Sequence, residues 1–94
     1  MAVLTPVFTY PPDRSPGMGP NPTLYGTGAP GSLVIVSQTN TDNELGRGVV
    51  GPDGNWAISV HAPKDNPGAF NSYGAYASLN GEASGWAVDL TLYV

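Results

Sequence analysis

The chain has 94 residues, 40% hydrophobic and 11% charged, with a formal net charge of −4, three cations and no cysteine. The lack of cysteine excludes a disulfide framework and a thiolate metal site. Arg14, Arg47 and Lys64 are scattered, so the basic patch that binds phosphates is missing and nucleic acid is not an expected partner.

No stretch approaches the roughly 18 to 20 continuous apolar residues of a membrane span, and the start MAVLTPVFTYPP lacks the basic flank and long apolar run of an export signal. Surface scaling for a chain of this size gives roughly 5,000 Å² of folded surface and room for one core, so residues 1–94 are expected to form a single domain. The 13 Gly and 10 Pro are spread so evenly that few windows of a dozen residues could stay helical, which leaves strands.

In chain order the first strand is VLTPVFTY (3–10). The segment PPDRSPGMGPNP (11–22) follows, and with five prolines in twelve residues it cannot donate regular ladder bonds. It reads as an ordered loop or hinge with polyproline character, or alternatively as a ligand for a proline-recognising groove. TLYGTG (23–28) and SLVIVSQ (32–38) are the second and third strands, TNTDNE (39–44) is a polar loop, and LGRGVVG (45–51) is the fourth strand.

GPDGNW (51–56) combines a turn with a large aromatic. Pro52 suits the first central position, Asp53 the second, and Gly54 a following position of positive φ, so LGRGVV is expected to reverse into NWAISVHA (55–62) as a bulged hairpin. APKDNPG (62–68) is a loop. The last strands are YGAYASLN (73–80) and WAVDLTLYV (86–94), which makes seven.

Alternation along each strand separates core from surface. Trp56, Ile58 and Val60 are expected inward with Ser59 and His61 outward; Tyr73, Ala75, Ala77 and Leu79 form an inward row whose small middle leaves room for Trp56. In the last strand Trp86, Val88, Leu90, Leu92 and Val94 are expected in the core, with Asp89, Thr91 and Tyr93 outside. One buried face and one wet face on several strands predict an all-β, immunoglobulin-like antiparallel β-sandwich.

Four stretches in order, PTLYGTGAPGSLVIV (22–36), LGRGVVGPDGNWAISV (45–60), PGAFNSYGAYASLNGEASG (67–85) and WAVDLTLYV (86–94), resemble the bacterial immunoglobulin-like domains that occur in tandem in large surface and secreted proteins. The second of these includes the Asp-Gly-Asn-Trp run at Asp53 to Trp56, and it is the order and spacing of the pieces together that carry the resemblance. The match departs at Gly51, where the family has a polar residue, and in the compressed ASLNGEASG loop; residues 1–21 lie outside it. The resemblance implies a noncatalytic structural or adhesive module of a larger exported protein, at the cell surface or outside the cell. Its partners would then be neighbouring domains of the same chain and a glycan or protein receptor.

Catalytic residues are not expected. His61 is the only histidine, and Ser59 and Asp65 nearby in sequence do not by themselves make a triad. No cofactor is implied, although TDNE (41–44) and PKDN (63–66) would offer hard oxygen ligands, which makes Asp42, Glu44 and Asp65 calcium candidates. Tyr10, Tyr25, Tyr76 and Tyr93 are the ligand-binding candidates of a rival reading as a carbohydrate- or protein-binding module, because tyrosine rings stack on sugars and anchor partners. A third reading is a small subunit that self-associates through an open edge near LGRGVVG.

Overall fold

The computed structural model describes residues 3–39, 43–87 and 89–94. It contains β1 (Val7–Tyr10), β2 (Thr23–Thr27), β3 (Leu33–Gln38), β4 (Glu44–Val49), β5 (Asn55–Ser59), β6 (Phe70–Leu79), β7 (Glu82–Ala83) and β8 (Leu90–Tyr93), and no helix among the described residues. Two antiparallel sheets pack face to face, one ordered β1-β2-β5 and the other β4-β3-β6 with β7 and β8 both against β6. This is the predicted immunoglobulin-like sandwich. Its exposed area of 5168 Å² is close to that expected from length alone.

The core follows the alternation. Leu24, Trp56 and Ile58 from the three-stranded sheet face Val34, Val36, Tyr73, Ala75, Ala77, Leu90 and Leu92 from the five-stranded one, and all are buried. Ser59 and His61 point out as expected, while Leu79 and Val94 are only half-buried. On β4 the inward positions are glycines, and a Cβ at Gly46 would come within 2.8 Å of Ile58 on the opposite sheet. Absent side chains at 46 and 48 thus let the edge strand β4 approach β5 closely.

The GPDG turn forms as the sequence predicts, with Gly54 at φ 83° and its N–H donating to the Gly51 carbonyl at 3.0 Å. It does not close a hairpin within one sheet. β4 pairs with β3 and β5 pairs with β2, so the turn is an arch from one sheet to the other. Local turn chemistry is the same in both cases; which partners the flanking strands take is decided by long-range burial. Trp56 enters the core directly after the arch, its Nε1–H donating to the Thr27 carbonyl at 2.9 Å and Phe8 packing edge-on at 5.6 Å. The position facing Trp56 on β2 is Gly26.

β1 is shorter than expected because Pro6, buried before it, has no N–H to contribute. The Pro-rich segment after β1 leaves the first sheet through a cis Tyr10–Pro11 peptide and runs beside β8. There Arg14 N–H donates to Thr91 O at 2.6 Å, Tyr93 N–H to Ser15 O at 3.0 Å and Met18 N–H to Tyr93 O at 2.9 Å. The Asp13 carboxylate accepts the Thr91 N–H at 2.8 Å. The prolines still contribute carbonyls: Pro20 and Pro22 accept from Ala62 and Val60, so the backbone pairing of β5 continues past Ser59.

Two further differences have one origin each. Asn80 and Gly81, at φ 53° and 82°, form a two-residue turn that returns the chain as β7, an eighth strand beyond the seven expected. The strand expected over 86–94 is confined to Leu90–Tyr93. From Ala83 (opposite Ser78) to Leu90 (opposite Tyr73) is 90 − 83 = 7 steps, against 78 − 73 = 5 on β6, so two extra residues bulge out. Trp86, expected in the core, is therefore turned to solvent at 59% exposure and Ala87 is buried instead. Val88 lies outside the described residues.

The molecule measures 41 × 26 × 17 Å. The register places the loop after β2, the GPDG arch, the β6–β7 turn and the chain before β1 at one end. The Pro-rich segment, the loops after β3 and β5, and the chain after β8 lie at the other.

Candidate functional site

The outer face of the five-stranded sheet carries the most developed surface feature. Arg47, Ile35 and Tyr76 stand in one row across β4, β3 and β6, because Ile35 pairs with both of the others. Trp86 packs edge-on against Tyr76 at 4.9 Å and lies over Gly74, where a Cβ would sit 3.3 Å from the indole. Glu44 belongs to the same face because the β3–β4 ladder slips between Val36 and Ser37, leaving Leu45 as an extra residue. Its carboxylate accepts two bonds from Arg47, 2.9 Å from Nε and 2.6 Å from Nη2.

These side chains enclose a groove of about 460 Å³ lined by Ile35, Ser37, Glu44, Tyr76, Ser84 and Trp86, with Ala83 at its rim. Arg47 holds the Glu44 carboxyl below the usual carboxylate range by hydrogen bonding, and Glu44 in turn raises the guanidinium. The pair leaves the groove polar at one side, aromatic at the other and electrically balanced. Ser37 is only 5% exposed on its floor.

The four tyrosines singled out from the sequence do not form one site. Tyr10 and Tyr25 meet edge-on at 5.9 Å on the three-stranded sheet, both exposed. A slip in the β1–β2 ladder between Phe8 and Tyr10 brings them side by side. Tyr76 joins Trp86 as described, and Tyr93 packs against Phe70 at 6.4 Å, a ring also approached by the Lys64 ammonium at 5.3 Å. Sequence reading missed Trp86 as a surface residue because it carried strict alternation back through 86–89. The available signal was Gly85 immediately before it, a residue that often marks a bulge.

His61 is exposed, with Nδ1 2.9 Å from Asn21 Oδ1 and Nε2 3.7 Å from an Asp65 oxygen. Ser59 Oγ bonds instead to Thr23 Oγ1 at 2.9 Å, so Ser59, His61 and Asp65 are not assembled as a triad. Of the calcium candidates, Glu44 is engaged by Arg47, Asp65 faces His61, and Asp42 lies outside the described residues. Among the described residues no group of three or more His, Asp or Glu is placed to hold a metal ion. None of their helices is long and apolar enough to cross a membrane, since none is present.

The architecture is an all-β immunoglobulin-like sandwich. Among solved structures the chain is similar to one described as "Biofilm associated protein - BSP domain", with a TM-score of 0.70 and 22% identity over 96% of this chain. It spans 14% of that protein's chain. A chain described as "Structure of Protease" aligns with a TM-score of 0.47 and 18% identity, over 96% of this chain and 18% of that one. No protein-family profile matches the sequence, and no curated protein matches it.

Proposed function

We propose that this chain is a noncatalytic structural or adhesive module of a larger bacterial protein displayed outside the cell, a spacer that carries neighbouring segments at its two ends. The observation that carries this reading is the placement of those ends. The chain enters beside the GPDG arch and leaves beside the loop after β5, on opposite sides of a body 41 Å long. Copies joined in series would extend in a line. The likeness to a domain described as part of a biofilm-associated protein, of which this chain spans a small share, supports the same reading.

The ladders fit such a role. β1 and β8, the first and last strands, belong to different sheets, and the Arg14–Met18 stretch clamps the end of β8. Tension applied at the two ends therefore loads both sheets along their strands. Pulled from its ends, the 94-residue chain should lengthen in one cooperative event by roughly 280 Å, the extended length less the 41 Å body. Gradual extension at low force, with no resolvable event, would remove this reading.

A further inference from the structure

We infer that the groove between Trp86, Tyr76 and the Glu44–Arg47 pair binds an uncharged pyranose ring of a glycan. Three observations converge there. Trp86 is a large ring held in place by Tyr76 and by the missing side chain of Gly74, yet it is 59% open to water. A fixed aromatic face without an apolar cover is a platform for the C–H face of a sugar, which presents the positive edge that a π face attracts.

Ser37 supplies the second observation. It is 5% exposed and lines the groove floor. A hydroxyl both donates and accepts, so a ring hydroxyl entering the groove would find a partner there.

The third is charge. The Glu44 carboxylate lines the groove, and beyond its two bonds from Arg47 it keeps lone pairs that can accept from adjacent sugar hydroxyls. The two charges cancel, and the chain as a whole is acidic at −4, so an uncharged sugar fits better than an anionic one. The volume of about 460 Å³ falls within the usual range of small-ligand sites. This site is independent of the spacer reading: a spacer with an empty groove and a sugar binder that transmits no tension are separate outcomes.

The two tryptophans make the test internal. Trp86 lines the groove, while the Trp56 indole N–H is bonded to Thr27 inside the core and serves as the reference. The intact chain, labelled with ¹⁵N, is titrated with soluble oligosaccharides of glucose, galactose, mannose and N-acetylglucosamine. The Trp86 indole signal should shift saturably with at least one of them while that of Trp56 stays in place. Trp86→Ala should weaken binding by about tenfold or more. Ser37→Ala should weaken it without changing the thermal melt, and Tyr25→Ala on the other sheet should leave it unchanged. No saturable Trp86 shift at millimolar sugar, or binding that is unchanged in Trp86→Ala and Ser37→Ala when followed through the backbone amide signals of β3 and β6, overturns the proposal.

Discussion

Glu44 and Arg47 are three residues apart on one strand, yet their side chains meet in a two-pronged ion pair at 2.9 and 2.6 Å. In a regular strand they would point to opposite faces. The extra residue Leu45 in the β3–β4 ladder brings both to the outer face, so the pair exists only in the folded register. Because both groups are exposed and solvent screens the pair, Arg47→Met should leave the melting midpoint near neutral pH almost unchanged.

The same pair predicts a dependence on acid. The carboxyls of Glu44 and Asp53 are both held below their ordinary range, the first by Arg47 and the second by bonds from the Asn55 side chain and backbone N–H. A depressed folded-state value means the contribution is present above the unfolded value, about 4, and is lost as pH falls through the folded one. Thermal midpoints measured from pH 7 down to pH 2 should fall on the acid side, and Glu44→Gln with Asp53→Ala should flatten that fall. Tyr73 acts at the opposite extreme: burial raises its hydroxyl, so its contribution is present below about 10 and is lost as pH rises through the folded value. Tyr73→Phe should flatten the alkaline decline.

Gly26 is fixed by a contact rather than by a turn. A Cβ there would overlap the Trp56 ring and the Val7 carbonyl, one part of the core and the other backbone of β1, so neither can step aside cheaply. Gly26→Ala should cost about 3 kcal/mol, a fall of roughly 10 °C or more in Tm, read by a thermal melt. A change under 3 °C would mean that β1 is free to move away.

Which features are legible in the sequence follows from the range of the interaction that sets them. Trp56, Ile58 and Val60 follow plain alternation and are buried, and Gly54 takes the positive φ that the turn requires. The outward positions of Trp86, Glu44 and Tyr10 depend on ladder slips, and a slip of one residue reverses the side chains beyond it; the two extra residues before β8 cancel, so Leu90 and Leu92 keep their inward positions. The groove is built from two such slips. Asn80-Gly81 was a readable hairpin signal whose short return strand is only two residues long. The arch at GPDG was readable as a turn, but its crossing between sheets depends on Gly46 and Gly48 fitting over Ile58.

The loop after β5 hangs on one buried side chain. Asn71 Oδ1 accepts the Lys64 N–H at 2.8 Å and its amide donates to the Lys64 carbonyl at 2.9 Å. Asn71→Ala removes both partners and should cost about 1 to 3 kcal/mol. Backbone amides of residues 63–69 should then exchange with deuterium faster than those of β3, which is the pattern that separates local release from global unfolding.

The distance between the ends of linked copies tests the spacer role most directly. Two copies joined in series, measured by small-angle X-ray scattering beside the single chain, should show a maximum dimension larger by about one long axis, 41 Å. A pair folded back side by side, adding no more than the 17 to 26 Å of the short axes, would contradict it.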